Sequence, residues 1–256
     1  MVIKSKEKNQ PKIRADLLLF NQGKAESRTQ ASSLIMAGKA YANGQKIEKT
    51  GQLLSIDTDI EVRQQLHPYV SRGGLKLARG LEYFQINPQG QIALDLGAST
   101  GGFTDLLLQQ GAAKVFAVDV GYGQLAWKLR QDERVVVLER VNARYLTNEI
   151  ITEAPDLLVC DASFISLCTI LPASLELVKN GGMAVCLIKP QFEAGPEHVG
   201  KGGIVRDPLI HQQVCEKISQ FFQQQQWQVQ AITDSPIFGA DGNKEFLIAA
   251  QKIKNP

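Results

Sequence analysis

Apolar runs and helical stretches alternate along the chain from residue 92 onward. The runs are short and nearly continuous, which is typical of strands buried on both faces of a parallel sheet. They predict seven strands, at residues 92–96, 114–119, 135–140, 156–164, 183–190, 227–236 and 244–253, with helices at 103–110, 124–132, 166–179 and 208–226. The connection IFGADGN, residues 237–243, is too short for a helix, so the seventh strand must run antiparallel to the sixth. The pattern predicts an α/β fold with a doubly wound, seven-stranded sheet.

The first sixty residues follow a different pattern of short elements. Apolar residues that recur within single turns predict helices at 14–21 and 28–36. Ser27 can cap the second helix, because its hydroxyl accepts from the free amides of the first turn. The dipeptide that begins at Asn43 is Asn-Gly, which predicts a type I′ hairpin turn. The segment LLSIDTDIEV, residues 53–62, predicts one further strand.

These patterns divide the chain into four predicted parts. They are a disordered basic tail at residues 1–11, a small α+β domain at 12–66, a linker at 67–72 and a large α/β domain at 73–256. The large domain is predicted to begin with a helix from about Gly73, which precedes the first strand and can cover the edge of the sheet.

The composition is typical of a globular protein with a full hydrophobic core. The chain has 256 residues, of which 44% are hydrophobic and 21% charged, enough to bury a full core. Its four cysteines form no C-x-x-C pair and its three histidines are scattered, so we expect reduced thiols and no metal site. No signal peptide and no apolar run of eighteen residues is present, so we expect a soluble, cytoplasmic protein without a membrane span.

Charge is distributed unevenly between the two domains. Residues 1–66 hold eight Lys and three Arg against three Asp and four Glu, a net charge of +4, whereas the rest of the chain carries −2. A basic module beside a catalytic one is compatible with nucleic-acid binding, although a solvated charged surface would give the same count.

A glycine-rich turn follows the first strand of the large domain. The order is strand, turn at residues 97–102, helix and a second strand that ends on Asp119, as in doubly wound nucleotide-binding folds. Asp119 is suitably placed to pair with ribose hydroxyls. The turn is not G-x-G-x-x-G, because Ala98, Ser99 and Thr100 separate its glycines. A ligand with one ribose and no pyrophosphate therefore fits better than a dinucleotide.

The pattern D-L-G-x-x-x-G-G-F resembles the S-adenosylmethionine site of class I methyltransferases, which have a Rossmann-like, seven-stranded sheet with an antiparallel strand seven. The resemblance implies that Asn142 flanks the adenine and Asp161 the methyl group. The alternative for Asp161 is a cap on the helix that begins near Ser166. The implied cofactor-binding residues are Asp95, Gly97, Ser99, Thr100, Gly101, Gly102, Phe103, Asp119, Asn142 and Asp161.

The resemblance also implies the strand order, with strand four beside strand one, strand five beyond it and strand seven between five and six. In this order, three charged residues should meet at the carboxyl edge of the sheet. Asp161 lies at the end of strand four and Lys189 at the end of strand five. Glu245 lies at the start of strand seven, which runs the other way and so begins at the same edge. Lys76, on the helix before strand one, can supply a fourth charge there.

These four residues, Lys76, Asp161, Lys189 and Glu245, match the Lys-Asp-Lys-Glu tetrad of ribose 2′-O-methyltransferases of the FtsJ type. With VSRGGLKL, DLGASTGGFT, DASFISL, LIKPQFE and GKGGIVRD, the chain from about residue 12 resembles the TlyA family, also called hemolysin A. The resemblance implies an S-adenosylmethionine-dependent enzyme that methylates cytidine 2′-hydroxyls in 16S or 23S ribosomal RNA, with ribosomal RNA or ribosomal subunits as its partners.

The small domain resembles the S4 RNA-binding domain over RADLLLFNQGKAESRTQASSLIMAGKAYANGQKI, residues 14–47. The resemblance implies an RNA-facing surface that contains Arg14, Ser27, Arg28, Gln30, Lys39, Asn43 and Lys46. In the large domain, Lys201 and Arg206 lie on a long glycine-bearing loop, residues 193–208, that could close over the substrate. For any of these cations the alternative is a solvated charge that touches no RNA.

The chemistry explains why a lysine is wanted at position 189. A ribose hydroxyl is a poor nucleophile until its proton is removed or strongly shared. We predict that the tetrad titrates as a coupled unit, with Lys189 either the general base or the charge that steers the oxygen. Two other hypotheses for the function remain. One is a non-catalytic RNA-binding protein that carries S-adenosylmethionine, and the other is a membrane-lytic protein, which only the older family name suggests.

Overall fold

The computed structural model describes residues 11–25, 27–36, 38–62, 67–239 and 242–253. The predicted tail at residues 1–11 lies almost entirely outside the described residues. The chain divides into two units, Met1–Pro68 and Tyr69–Pro256. Residues 69–72 of the predicted linker therefore belong to the larger unit.

Across its described residues, the smaller unit contains two helices and five very short strands. Its elements are β1 (Lys12–Arg14), α1 (Ala15–Asn21), α2 (Arg28–Met36), β2 (Ala40–Ala42), β3 (Gln45–Lys46), β4 (Leu53–Ser55) and β5 (Ile60–Val62). Strand β1 pairs with β4, and β2 pairs with both β3 and β5, all antiparallel. A small core forms where α1 and α2 pack on these strands, around Leu18, Leu19, Ile35 and Ile60.

Several local predictions for this unit are confirmed. The amide of Gln30 donates to the hydroxyl of Ser27, so Ser27 caps α2. Asn43 and Gly44 have φ values of 51° and 77°, as a type I′ turn requires. The single strand predicted at 53–62 was wrong: β4 and β5 are separate strands in different sheets.

The larger unit begins with α3 and alternates strands with helices. Its elements are α3 (Gly73–Tyr83), β6 (Ile92–Leu96), α4 (Gly102–Gln109), β7 (Lys114–Asp119), α5 (Trp127–Arg130), β8 (Val135–Glu139), β9 (Leu157–Cys160), α6 (Leu167–Ile170), α7 (Pro172–Leu177), β10 (Met183–Ile188), α8 (Pro190–Glu193), α9 (Pro208–Gln224), β11 (Trp227–Asp234) and β12 (Phe246–Lys252), with two short 3₁₀ turns, Ala143–Tyr145 and Pro196–His198.

The strands of this unit form one sheet in the order β11-β12-β10-β9-β6-β7-β8. Strand β12 pairs antiparallel with both β10 and β11, and the other pairs are parallel. The predicted fold is confirmed, including the antiparallel seventh strand. Successive residues of the central strands alternate between two hydrophobic cores, with Leu158 and Cys160 on one face and Leu157 and Val159 on the other.

Proline positions explain two of the differences between the predicted elements and the structure. The helix predicted at 166–179 is two helices, because Pro172 begins α7 after a break at Leu171. Pro190 begins the short helix α8 rather than a loop, since proline fits the first helical position, where no amide donor is needed. The helix predicted at 124–132 is reduced to the single turn of α5.

Candidate active site

Two ion pairs lie side by side at the carboxyl edge of the large sheet. Nζ of Lys189 is 2.6 Å from Oδ1 of Asp161, and Nζ of Lys76 is 2.6 Å from Oε2 of Glu245. Glu245 is 3% exposed to solvent, and Lys76 and Lys189 are 9% and 8% exposed. The ammonium of Lys189 also donates to the hydroxyl of Ser163, at 2.8 Å. Charges this deeply buried need such partners, because desolvation would otherwise oppose them.

The sheet topology brings these residues together. Strands β9 and β10 are parallel neighbours, so Asp161 and Lys189, which follow them, emerge at one edge. Strand β12 is antiparallel to β10, so Glu245, which precedes it, emerges at the same edge. Helix α3 packs near β12 and β10 and supplies Lys76 from its first turns. The predicted convergence of four charged residues is what the structure shows.

A cleft of about 480 Å³ opens over the two ion pairs. All four charged residues line it, together with Gly97, Ser99, Thr100, Gly102 and Phe103 of the glycine turn and the start of α4. A second cavity of about 600 Å³ adjoins it and is lined mainly by apolar residues around Asp119. Gly97, Ser99, Asp161, Ser163 and Phe164 line both, so the two cavities meet beside Asp161.

The glycine turn packs closely against two neighbouring segments of the larger unit. Gly97 has a φ of +77°, and a Cβ there would lie 3.0 Å from Cα of Ala162. At Gly102, a Cβ would lie 2.2 Å from the hydroxyl of Ser71 and 3.0 Å from the amide of Gly74. Side chains at these positions would displace the loop after β9 and the segment before α3. Glycine at these positions lets the turn pack tightly against both segments, and the turn itself forms a cradle that borders both cavities.

Asp119 holds this turn at the end of β7. Its carboxylate accepts from the amide of Ser99 at 2.8 Å and from the amide of Gly121 at 2.7 Å. Each carboxylate oxygen has a second lone pair, so Asp119 can still accept from ligand hydroxyls. The cavities and cradle fit a nucleoside with an extended polar tail: the ribose would lie at Asp119 and the tail beside Asp161, in volumes typical of ligand pockets.

Three of the predicted cofactor residues do not line either cavity. Asp95 is completely buried, and its carboxylate accepts from the hydroxyl of Thr104 at 2.6 Å. Gly101 packs against Leu125 and Leu129. The side chain of Asn142 accepts from the amide of Arg144 as the cap of the turn that follows β8, while its neighbours Val141 and Ala143 line the second cavity. Asp95 and Gly101 therefore support the turn from beneath.

Asp161 does not cap the helix that follows it. Helix α6 is capped by Ser166, whose hydroxyl accepts from the amide of Cys168 at 3.2 Å. The alternative reading of Asp161 as the cap of this helix is wrong. Its carboxylate is directed to Lys189 in the cleft instead.

Sequence reasoning missed several residues of the cleft. Ser71, Arg72 and Gln191 line it, as do Phe164 and Phe192, whose rings pack 5.0 Å apart. Phe164 is 89% exposed and has a φ of +64°, a left-handed conformation that aromatic residues rarely adopt. Phe164 could have been found from the sequence, because it lies three residues after Asp161 in the loop after a central strand.

The residues expected to face RNA are surface groups of their own units. In the smaller unit, Arg14 and Arg28 both pair with Asp16, Ser27 caps α2, and Gln30, Asn43 and Lys46 are exposed, while Lys39 is partly buried. In the larger unit, Lys201 and Arg206 are exposed. Their loop is anchored by Asn243, which accepts from the amide of Val205 and donates to the carbonyl of Gly203.

Comparison with known proteins identifies the enzyme class. A family model described as FtsJ-like methyltransferase matches residues 69–252, most of the chain. This chain belongs to the FtsJ-like methyltransferase family. The matched span begins at the residue where the larger unit begins. Membership confirms the predictions of a class I methyltransferase fold and of S-adenosylmethionine as the cofactor.

Relatives cover nearly the whole chain, including the smaller unit. The Mycobacterium tuberculosis protein TlyA, named a 16S/23S rRNA (cytidine-2′-O)-methyltransferase, is 46% identical over 238 residues, 93% of this chain and 89% of that protein. A solved structure from Streptococcus thermophilus, described as a candidate hemolysin, is 44% identical with a TM-score of 0.74, and the match covers 96% of this chain and 90% of that one. The predicted membership of the TlyA family is thus confirmed.

More distant structures share only the fold. A Burkholderia thailandensis N-methyltransferase solved with S-adenosylhomocysteine is 17% identical with a TM-score of 0.51, over 72% of this chain and 80% of that one. Within the described ranges, no helix is long and apolar enough to cross a membrane.

Proposed function

We propose that this FtsJ-like methyltransferase transfers a methyl group to the 2′-hydroxyl of cytidine in ribosomal RNA. The observation that carries the proposal is the pair of buried ion pairs, Lys189 with Asp161 and Lys76 with Glu245, in one cleft beside the glycine turn. The name of the Mycobacterium tuberculosis relative supports the choice of cytidine and of 16S or 23S RNA as the target. A ribosomal RNA substrate makes the cytoplasm the place of action.

The residues of this chain would hold the cofactor across both cavities. Bound S-adenosylmethionine supplies an electrophilic methyl group. The turn from Gly97 to Gly102 would contact it through its backbone, and Asp119 would accept from the ribose hydroxyls. The apolar wall of the second cavity, around Val118 and Val141, would enclose the adenine. The part of the first cavity around Lys76, Lys189 and Glu245 remains for the RNA ribose.

Lys189 is the residue best placed to act on the 2′-hydroxyl. Its side-chain nitrogen is held by Asp161 and Ser163 at the floor of the cleft. As a neutral amine it would accept the hydroxyl proton; as an ammonium it would instead stabilise the charge that develops on the oxygen. Lys76 and Glu245 complete the charge balance of the cleft. Alignment of the two substrates contributes much of the rate, because methyl transfer requires in-line attack.

Phe164 would support the target nucleotide from the rim of the cleft. Its ring is exposed in the loop after β9, which also carries Asp161, and it packs against the ring of Phe192. RNA bases that are unstacked for modification commonly stack on aromatic side chains. The strained backbone of Phe164 fits a residue retained for such a contact rather than for folding.

The direct test is the substitution Lys189→Ala. Because none of the residues predicted to hold the cofactor is changed, S-adenosylmethionine binding, measured by calorimetry, should be unchanged, while transfer of labelled methyl groups to ribosomal RNA should fall at least a hundredfold. Lys179→Ala is the matched control, since Lys179 is half-exposed and pairs with Asp156 away from the cleft. Near-normal methylation by the Lys189 variant would overturn the role.

The target itself is found by mapping 2′-O-methyl groups in ribosomal RNA from cells with and without this protein. We expect at least one cytidine to lose its methyl group when the protein is absent. Parallel assays on free RNA and on purified subunits identify the true substrate. Unchanged methylation maps, with cofactor and RNA binding intact, would favour the non-catalytic RNA-binding reading, and leakage of liposomes by the purified protein would favour lysis.

A further inference from the structure

A single buried carboxylate holds two arginines at the surface of the smaller unit. The carboxylate of Asp16 accepts from Nε and Nη2 of Arg14, both at 3.0 Å, so the two side chains form a bidentate ion pair. The same carboxylate accepts from Nε of Arg28 at 3.1 Å. The side chain of Asp16 is 4% exposed, whereas those of Arg14 and Arg28 are 47% and 53% exposed. The carboxylate therefore lies beneath two guanidinium groups that face solvent.

The backbone around Asp16 is fixed from both sides. The amides of Ala15 and Asp16 donate to the carbonyls of Gln52 and Thr50, at 2.8 and 3.1 Å. Strand β1, which carries Arg14, pairs with β4, and α1 begins directly afterwards. The adjacent residue Gly51 has no side chain, and a Cβ there would lie 3.1 Å from Nη1 of Arg14. This position leaves the outer edge of the Arg14 guanidinium open.

Within the part of the chain that the structure describes, the charge of this group is not neutralised. Two guanidinium groups share one carboxylate, which leaves a net positive charge, and Asp16 uses only a minority of their N–H donors. Arg28 is the first residue of α2, where a cation is unfavourable for the helix dipole. Two forked donor groups held close together match the oxygens of a phosphodiester. The arrangement thus has the chemistry of a phosphate-binding site.

We propose that Asp16 is the positioning residue that assembles Arg14 and Arg28 into one binding site for an RNA phosphate. This inference rests on the proposed function, methylation of ribosomal RNA, and on the RNA-facing surface that the sequence predicts for the smaller unit. The proposal predicts a change in RNA affinity opposite to the one expected from net charge alone. Asp16→Asn removes a negative charge, so simple electrostatics would strengthen RNA binding, whereas loss of the shared anchor lets the arginines separate and weakens it.

The experiment compares three full-length proteins in filter binding to ribosomal RNA transcribed in vitro. We expect Asp16→Asn to bind on the order of tenfold more weakly than wild type, as for the loss of a charged hydrogen bond. Asp57→Asn is the matched control, because Asp57 is exposed in the same unit and the change in charge is identical. It should bind as tightly as wild type or slightly more tightly.

The salt dependence of binding separates positioning from general loss of charge. For Asp16→Asn, the slope of the logarithm of affinity against that of salt concentration should become shallower by about one phosphate contact. The cofactor affinity of this variant should equal that of wild type. If Asp16→Asn binds RNA as tightly as Asp57→Asn does, the inference is overturned.

A second variant keeps the test valid if Asp16→Asn does not fold. Arg28→Lys preserves net charge at a half-exposed position, but lysine lacks the planar fork. It should fold normally and bind RNA several-fold more weakly, and wild-type affinity would overturn the proposal. Failure of the wild-type protein itself to bind or methylate ribosomal RNA would instead contradict the proposed function.

Discussion

At the scale of single residues, Asp95 differs most from its sequence-based interpretation. It occupies the position of an acidic ligand in a nucleotide-binding motif, yet its carboxyl group is completely buried under the turn. Burial raises its pKa from 3.8 to about 7, opposed by the hydrogen bond from Thr104 and helped by the nearby charge of Asp161. Asp95 is therefore a supporting residue whose charge is sensitive to pH.

The pKa of Asp95 gives a pH dependence with a definite sign. Since the folded pKa of about 7 exceeds the unfolded value of 3.8, the folded state binds more protons between these values. The free energy of unfolding should fall as pH rises from about 4 to about 7, by on the order of 4 kcal/mol at most, and then level off. Asp95→Asn should flatten this dependence in urea melts at several pH values. An unchanged profile would contradict the assignment.

Phe164 gives a second prediction at this scale. If its exposed ring stacks on the target base, Phe164→Ala should lower kcat/KM for RNA by about tenfold or more without changing cofactor affinity. Steady-state methylation assays measure the first quantity and calorimetry the second. Tyr83→Ala is the control, because Tyr83 is a half-exposed aromatic residue at the other end of α3 from Lys76. Equal losses in both variants would exclude a specific stacking role.

At the scale of elements, Glu193 ties together the two loops that carry the catalytic groups. It lies at the end of α8 and is almost fully buried. Its carboxylate accepts from the hydroxyl of Ser166 and from the amide of Leu167, both at 2.6 Å, at the start of α6. Lys217 on α9 donates to its backbone carbonyl at 2.8 Å. The loops after β9 and β10 are thereby held in one arrangement.

Glu193→Gln should loosen this connection. One carboxylate oxygen is replaced by an amide donor, so a bond to α6 is lost at a cost of about 1–3 kcal/mol. The melting temperature should fall by several degrees and kcat should fall, while cofactor affinity stays near wild type. Differential scanning fluorimetry and methylation assays check this result. Glu197→Gln, at a well-exposed position of the same loop, should leave stability and kcat unchanged.

Element boundaries were predictable only where local chemistry fixes them. The start of α2 at Arg28 and the hairpin turn at Asn43 follow from a cap and from an Asn-Gly pair, and both are confirmed. The break between α6 and α7 was missed, although Pro172 marks it in the sequence. Apolar periodicity continues across that break, because both helices pack on the same core.

At the scale of the whole molecule, the two units differ in how much core they have. The larger unit buries apolar residues on both faces of a seven-stranded sheet, whereas the smaller one has a single small cluster around α1 and α2. Small units bury a smaller fraction of their surface and are correspondingly less stable. The smaller unit should therefore open more readily than the larger one.

Hydrogen exchange tests this difference directly. Amides of β2 and β5 should exchange with opening free energies several kcal/mol lower than those of β6, β9 and β10, which are central in the large sheet. Addition of ribosomal RNA should slow exchange in the smaller unit. Equal protection in the two units would show that they unfold as one cooperative body.

Apolar runs, a glycine turn, a connection too short for a helix and charged residues at strand ends were enough to predict most elements of the large domain and the candidate residues of the cleft. The order of the strands was implied by the family resemblance and not by these local patterns. The folded structure was needed to show which carboxylate pairs with which lysine, that Asp95 is buried against Thr104, and that Asp16 serves two arginines at once. The physical reason is that burial and charge pairing depend on distances between segments far apart in the chain, which no local pattern specifies.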